Sequence, residues 1–164
     1  LDKFNAWFSY TYMDNEYQFT DLEPSTFPHR LDIAHSARVA ATYEINNFTV
    51  ALGTHFRTGT PYTKPIPNNP LNFDNGQPTI NYSRPNAETV ASYFRTDASA
   101  KYEFKIDGTF NGTLHLSLLN IFDRRNPLDT YYRIAEDEAG NATVNRVDQF
   151  SLGFTPNLSF NLLF

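Results

Sequence analysis

Two polar residues of a predicted strand have the types that nucleophilic catalysis uses. His115 and Ser117 lie two residues apart in "TLHLSLL", so a strand would place both side chains on one face. A serine hydrolase needs such a pair together with a third polar group that orients the histidine. The neighbouring sequence identifies no third group, and two polar residues on a sheet wall explain the pair more simply. We therefore expect no catalytic residue and no enzymatic activity.

Metal binding is the second kind of chemistry that the sequence raises. The four histidines are scattered and the chain has no cysteine, so His55 and His115 lack the spacing of a metal site. The acidic stretch "EDEAG" at 136–140 offers clustered carboxylates of the kind that hard cations bind, but a solvated loop explains it better. We expect neither a metal ion nor a cofactor.

Charged residues of both signs alternate along "YFRTDASAKYEF" at 93–104. If this stretch is a strand, Arg95, Asp97, Lys101 and Glu103 share one face, because strand side chains alternate between faces. We expect these four residues to form a polar ion-pair network with neighbouring strands or with whatever packs against that face.

Alternation of apolar and polar residues is the main structural signal. It predicts six strands, near residues 3–13, 35–45, 48–58, 92–105, from 113 onwards, and 150–164. In the last of these, every even position from Phe150 to Phe164 is apolar, and the alternation continues across Pro156. We therefore interpret 150–164 as one long strand that is kinked at the proline.

The connections between these strands alternate in length. Asn46-Asn47 and the "DGTFNG" stretch are short turn signals, whereas about 14–34, 59–91 and 136–145 are longer. Such an asymmetry is typical of outer-membrane barrels, with short periplasmic turns and long extracellular loops. Aromatic residues also lie at two levels, as in interfacial girdles. One level is next to the short turns or a chain end (Phe4, Tyr43, Phe48, Tyr102, Phe104, Phe164), and the other lies towards the long loops (Tyr10, Tyr12, Phe56, Phe94).

The composition limits the class of protein. The chain has 164 residues, enough for one domain, and its net charge of −5 without a basic run argues against a nucleic-acid partner. A soluble sandwich or lipocalin-like barrel would also alternate, with the apolar face filling a core. The terminal segment favours a membrane barrel, because roughly fifteen residues would reach about 50 Å, far beyond an ordinary strand.

Four stretches carry a family resemblance, in order and with the appropriate spacing. They are "FRTGTPYTKP" (56–65), "YFRTDASAKYEF" (93–104), "LLNIFDRRNP" (118–127) and "VDQFSLGFTPNLSFNLLF" (147–164). Together they resemble the C-terminal third of a TonB-dependent outer-membrane receptor of the kind abundant in Bacteroidetes. The resemblance extends over essentially the whole chain.

The resemblance implies an all-β fold in which residues 1–164 form one segment, the last six strands of a barrel of about 22 strands that encloses a plug. The plug domain and TonB box are not in this sequence. Such receptors import scarce, large ligands (iron chelates, cobalamin, oligosaccharides or peptides) across the bacterial outer membrane. The implied partners are the rest of the barrel and its plug, outer-membrane lipid, the barrel assembly machinery and, indirectly, TonB. The terminal Phe164 resembles the aromatic residue that the assembly machinery is thought to read.

Ligand recognition is expected in the long loops, chiefly in the extracellular loop at about 59–91. Aromatic rings can stack on sugars or chelates, and arginine can bind carboxylate or phosphate bidentately. The predicted ligand-binding residues are Tyr62, Phe73, Tyr82, Arg84, Tyr131, Tyr132 and Arg133. Two alternatives stay open: an outer-membrane structural or assembly component without its own ligand, and a soluble lipocalin-like binder.

Overall fold

The structure is a computed structural model that describes residues 3–106 and 110–163. This part of the chain is built from strands and has no helix long and apolar enough to cross a membrane. The strands are β1 (Phe4–Tyr12), β2 (Glu16–Tyr17), β3 (Phe27–Pro28), β4 (His35–Ile45), β5 (Phe48–Arg57), β6 (Pro61–Tyr62), β7 (Leu71–Asp74), β8 (Gln77–Ile80), β9 (Glu88–Thr89), β10 (Tyr93–Ile106), β11 (Phe110–Leu119), β12 (Pro127–Glu136), β13 (Ala142–Phe150) and β14 (Thr155–Leu163).

Six long strands form one antiparallel sheet in the order β1-β4-β5-β10-β11-β14. The other strands pair in small hairpin-like sheets, β2 with β3, β6 with β9, β7 with β8, and β12 with β13. The prediction of an all-β fold with antiparallel strands is therefore confirmed. Six strands form the main sheet, but β12 and β13, with ten and nine residues, are as long as several of these and were not predicted as separate strands. Among the described residues the sheet is open, since β1 and β14 each have one unpaired edge.

Every long connection lies at the same end of the sheet, because consecutive long strands run in opposite directions. We call residues 13–34, 58–92 and 120–154 the first, second and third connections. At the opposite end, β4 and β5 are joined only by Asn46 and Asn47, and Asn46 adopts a left-handed conformation with φ of 53°. Asparagine tolerates this conformation better than most residues, which suits a two-residue turn.

The predicted strand over 150–164 is wrong. Phe150 ends β13, where it lies opposite Pro127, and residues 151–154 leave the sheet before β14 begins at Thr155. Pro156 lies inside β14, opposite Leu118, and is not a kink in a longer strand. Four residues separate the two strands, so the even-numbered alternation is preserved across the break. The third connection is also much longer than the predicted 136–145, because it contains the β12–β13 hairpin.

The corrected last strand removes the length argument for a membrane strand. The nine residues of β14 nevertheless match the roughly 9 to 11 tilted residues that cross a bilayer. Phe164, the predicted assembly signal, lies outside the described residues.

The strand register aligns the apolar residues of all six long strands on one face of the sheet. One such row crosses the whole sheet through Ala6, Ala41, Leu52, Ala98, Leu118 and Pro156. This apolar face is exposed: Phe8 retains 69%, Leu52 50% and Leu158 66% of its accessible surface. Near the long connections, Phe122 and Arg124 lie over the Phe94 ring of this face. No second sheet of the described residues covers the remainder.

On β5 the polar face is the more shielded of the two. In β5 the apolar residues Phe48, Val50, Leu52 and Phe56 are exposed, while the alternate residues from Thr49 to Arg57 are all half-buried. This is the reverse of a soluble sheet, in which the apolar side is the one removed from water.

An aromatic cluster lies on the apolar face near the short-turn end. The Tyr102 ring stacks on those of Phe48 and Phe104, with centroids 4.4 and 5.7 Å apart. Phe104 lies opposite Gly112 in register, and its ring occupies the space where a Cβ of that glycine would lie. Any side chain at position 112 would therefore displace the ring.

Candidate functional site

The three connections together enclose a cleft of about 770 Å³ at one end of the sheet. This volume falls within the range of about 300 to 1,000 Å³ that is usual for ligand sites. Residues from all three connections line it: Leu22, Glu23, Arg30, Pro61, Tyr62, Thr63, Ile66, Tyr82, Ser83, Arg84, Pro85, Asn86, Asp129, Thr130, Tyr131 and Tyr132. The site therefore exists only when the three connections are packed together.

Side chains of the second connection hold the first by hydrogen bonds to its backbone. The Arg84 Nη2 donates to the carbonyl oxygen of Thr26 at 2.8 Å and to the Ser25 hydroxyl at 3.1 Å. The Asn86 Nδ2 donates to the carbonyl oxygen of Pro28 at 2.8 Å. Because Arg84 is used in this way, it positions the wall of the cleft.

The third connection is tied to the other two by separate contacts. Arg30 forms an ion pair with Asp129, with Nη2 and Oδ2 2.5 Å apart. The Thr60 hydroxyl donates to the carbonyl oxygen of Leu128 at 3.4 Å. The Arg30 side chain is two-thirds exposed, so this pair contributes more to geometry than to stability.

The second connection has a narrow neck. The amide of Val90 donates to the carbonyl oxygen of Thr60 at 3.0 Å. Beside this bond, a Cβ on Gly59 would overlap the Val90 carbonyl group. Only glycine lets the two ends of the connection approach so closely.

The β12–β13 hairpin supplies a rigid part of the cleft. The Thr130 hydroxyl, which is buried, donates to the Asp148 carboxylate at 2.6 Å, and the Arg146 Nε donates to the same oxygen at 2.8 Å. The Thr130 hydrogen bond, followed by the one from Arg146, holds the pKa of Asp148 below its usual value. Burial raises the pKa of the Tyr132 phenol, which therefore stays protonated and able to donate a hydrogen bond at neutral pH.

Five of the seven predicted ligand-binding residues line the cleft: Tyr62, Tyr82, Arg84, Tyr131 and Tyr132. Phe73 and Arg133 are not among its lining residues. Phe73 belongs to the β7–β8 hairpin and is 62% exposed, and Arg133 lies opposite Asn145 on β13. The sequence did not indicate Glu23, Arg30, Asn86 or Asp129, because long-range packing of the connections brings them to the cleft.

The cleft offers aromatic rings and neutral hydrogen-bonding groups in preference to free positive charge. Its two arginines are already engaged, Arg30 by Asp129 and Arg84 by backbone carbonyl oxygens. Four tyrosines remain for stacking and for hydrogen bonding through their hydroxyls. The bidentate recognition of an anionic ligand that was expected of Arg84 has no support in this geometry.

The predicted polar network on β10 consists of two ion pairs along the strand. The Arg95 Nε donates to Asp97 Oδ1 and the Arg95 Nη2 donates to Asp97 Oδ2, both at 2.7 Å. Lys101 pairs with Glu103 at 2.8 Å. These pairs join residues two apart on one strand, whereas pairing between strands was expected. Asp97 also accepts the backbone N–H of Asn120 at 2.8 Å, which links the sheet to the third connection.

Two buried asparagines anchor the third connection, and the sequence analysis missed both. Asn120 is 1% exposed and donates through Nδ2 to the carbonyl oxygens of Arg124 and Leu152, both at 3.0 Å. Asn126 is fully buried and accepts the Phe94 backbone N–H at 2.8 Å. The available signal was the break in alternation at "NIFDRRNP", where two asparagines replace apolar residues.

The residues considered for catalysis and metal binding do not form a recognisable centre. His115 lies opposite Lys101 and Ser159, and Ser117 opposite Ser99 and Asn157, so no carboxylate faces either in register. Within the described ranges, no group of three or more histidine, aspartate or glutamate side chains could hold a metal ion.

Comparisons of the chain with protein-family models, with curated proteins and with solved structures give no match.

Proposed function

We propose that the chain is a wall segment of a TonB-dependent outer-membrane importer, whose long connections bind a large ligand outside the cell. The observation that carries the proposal is the exposed apolar face, which continues over six strands without a second sheet of the described residues over it. In a bilayer this face contacts lipid, and its exposure then costs nothing. In water it would be an unusually large exposed apolar patch.

The two open edges support a larger barrel in particular. Unpaired edges of β1 and β14 present rows of free N–H and C=O groups, which cannot be left unsatisfied in hydrocarbon. Further strands must therefore pair with both edges. Six strands are also fewer than the roughly eight of the smallest single-chain outer-membrane barrels.

The three-connection cleft supports a ligand-binding role over a purely structural one. A structural or assembly component needs loops that are stable, but it does not need a cleft lined by four tyrosines. The soluble lipocalin-like alternative is disfavoured by the same exposed face, because its apolar residues would have to fill the interior.

The test combines fractionation of the native source with the mass of the intact polypeptide. Recovery in the outer membrane, in a polypeptide several times the 18.8 kDa of this chain, is the expected result. A soluble monomer of 18.8 kDa would refute both membrane functions.

Ligand binding is measured on the detergent-solubilised native polypeptide by calorimetry. The probes are a ferric catecholate, cyanocobalamin, maltoheptaose and a short uncharged peptide. Binding of one probe, weakened by Tyr132→Ala, supports import through the cleft. An outer-membrane protein that binds none of the probes would instead favour the structural role.

A further inference from the structure

A second cavity lies beside the three-connection cleft and has a volume of about 460 Å³. Arg30 and Asp129 line both spaces, so their ion pair stands at the junction between them. The volume of the second cavity also falls within the usual range of ligand sites, about 300 to 1,000 Å³. Its other lining residues come from all three connections: Tyr17, His29, Leu31, Thr60 and Leu128.

Two rings form a platform in the second cavity. The centroids of the Tyr17 and His29 rings are 4.3 Å apart, and both side chains are half-buried. The Leu31 backbone N–H donates to His29 Nδ1 at 2.9 Å, so the ring proton lies on Nε2, which can donate a hydrogen bond. The platform therefore combines an apolar surface with a hydrogen-bond donor.

The rest of the second cavity has the same mixed character. Two of its leucines remain accessible, Leu31 at 62% and Leu128 at 39% exposure. The Thr60 hydroxyl donates to the carbonyl oxygen of Leu128 and can still accept a hydrogen bond through its lone pairs. A pocket of accessible apolar carbons with a few hydrogen-bonding groups suits a sugar ring, whose faces carry C–H groups and whose edge carries hydroxyls.

The charged side chains that line the two cavities all have polar partners within the described part of the chain. Arg30 pairs with Asp129. Arg84 donates to the Ser25 hydroxyl at 3.1 Å, and that hydroxyl donates to Glu23 Oε1, also at 3.1 Å. The serine thus links Arg84 to Glu23, and each positive charge has a carboxylate associated with it. This balance favours an uncharged ligand over an anionic chelate.

We propose that the two cavities are successive subsites for one uncharged oligosaccharide. The tyrosines of the cleft bind one end of the chain, and Tyr17 and His29 stack against a sugar ring beyond the junction. At the junction, the remaining N–H groups of Arg30 and lone pairs of Asp129 bind sugar hydroxyls. A chain of linked rings occupies two cavities in a row, whereas a single compact ligand occupies one. The inference rests on the proposed ligand-binding function and adds to it the substrate class and the second subsite.

The test is calorimetry on the detergent-solubilised native polypeptide with pairs of short and long oligosaccharides. The pairs are maltotriose and maltoheptaose, cellotriose and cellohexaose, and xylotriose and xylohexaose. Tyr17→Ala removes part of the platform, and Leu128→Trp fills the second cavity from an accessible position. Tyr132→Ala alters the cleft. Phe73→Ala, on a hairpin outside both cavities, is the matched control.

In one series the wild-type protein should bind the long member about tenfold more tightly than the trisaccharide, because only the long chain also reaches the platform. Tyr17→Ala and Leu128→Trp should abolish this advantage. Both variants should bind the trisaccharide as the wild type does, which also shows that they are folded. Tyr132→Ala should weaken binding of both members, and Phe73→Ala should weaken neither.

Four results would overturn the inference. The first is equal affinity of the wild-type protein for the short and long members of every series. The second is a persistent advantage of the long member in either Tyr17→Ala or Leu128→Trp. The third is loss of trisaccharide binding in both variants, which would mean that the two residues support the cleft itself. The fourth is no binding of any oligosaccharide. Binding of cyanocobalamin or the ferric catecholate would then leave the proposed importer intact, so the two proposals can fail separately.

Discussion

The hydroxyl groups of Thr54 and Thr96 are hydrogen-bonded to each other, with their oxygens 3.0 Å apart on the apolar face of the sheet. The two residues lie directly opposite in register on β5 and β10. Thr96 is only 4% exposed. Each threonine thus satisfies the other on a face that otherwise carries few polar groups.

Replacing one of these threonines should cost more than replacing both. Thr54→Val or Thr96→Val leaves the remaining hydroxyl without its partner, which we expect to destabilise the folded state by about 1–2 kcal/mol. The double replacement removes both polar groups and should be nearly neutral. A double-mutant cycle on unfolding in detergent measures the difference, and strictly additive single effects would contradict the pairing.

A charge on the apolar face should block membrane assembly, whereas a charge on the polar face should not. Leu52 and Ala51 are neighbours on β5 that point to opposite faces. Leu52→Lys places an ammonium in lipid, at a cost of about 2–4 kcal/mol near the bilayer midplane. Ala51→Lys should insert normally. The amount of heat-modifiable protein in the outer membrane measures the insertion of each variant. Equal amounts of the Leu52→Lys and Ala51→Lys variants would contradict a lipid-facing apolar face.

The stability of the folded state should depend on both the side chain and the backbone conformation of the buried Asn120. This residue adopts a left-handed conformation with φ of 52°. The hydrogen bonds of its side-chain amide hold the third connection. We expect Asn120→Gly to lose about 3 kcal/mol through the missing hydrogen bonds, and Asn120→Ala to lose roughly 1 kcal/mol more through backbone strain. Thermal unfolding measures both, with the exposed Asn161→Ala on β14 as control. If Asn120→Ala were the more stable of the two position-120 variants, the backbone argument would fail.

Acidification should loosen the β12–β13 hairpin. The pKa of Asp148 is lower in the folded state than its ordinary value of 3.8. Its contribution to stability is therefore complete above about pH 3.8 and is lost as the pH falls through the folded-state pKa. Hydrogen exchange of the hairpin amides, corrected for intrinsic rates, should show this loss. Asp148→Asn should abolish this acid-dependent loss of protection. The control variant Asp21→Asn, in the first connection, should retain the loss. If Asp148→Asn still lost protection in acid, Asp148 would be excluded as the source of the acid response.

The cleft should depend on Arg84 through the position of the connections. Arg84→Ala removes the hydrogen bonds to Ser25 and Thr26 and should expose the first connection to protease as well as weaken ligand binding, each by roughly tenfold if about 1.4 kcal/mol is lost. Tyr132→Ala should weaken binding with little change in proteolysis. Arg133→Ala, which alters a side chain outside the cleft, is the control. Normal proteolysis of Arg84→Ala with weakened binding would instead indicate direct ligand contact.

The local alternation was sufficient to predict five of the six strands of the main sheet, because the side chains of a strand repeat every two residues whatever the rest of the fold does. It did not predict the β12–β13 hairpin. The same signal failed at Phe150, since the four residues 151–154 return the chain to the same parity. It could not distinguish one strand from two strands separated by an even number of residues.

The cleft was only partly predictable for a different physical reason. Tyrosines in long connections are candidate ligand contacts from composition alone, and five of the seven named residues line the site. Arg30 and Asp129 are 99 positions apart, and no local pattern connects them. The roles of Asn120 and Asn126 likewise depend on which backbone groups the fold leaves unpaired.

The close approach at Gly59 and Val90 brings together the two ends of the segment between them. Its ends meet at one point beside the sheet, so a change in the number of residues between them need not move β5 or β10. The entropy of closing a loop also rises only slowly with its length. The segment can therefore change in length or sequence without rebuilding the sheet, provided that Arg84 and Asn86, which hold the first connection, are kept.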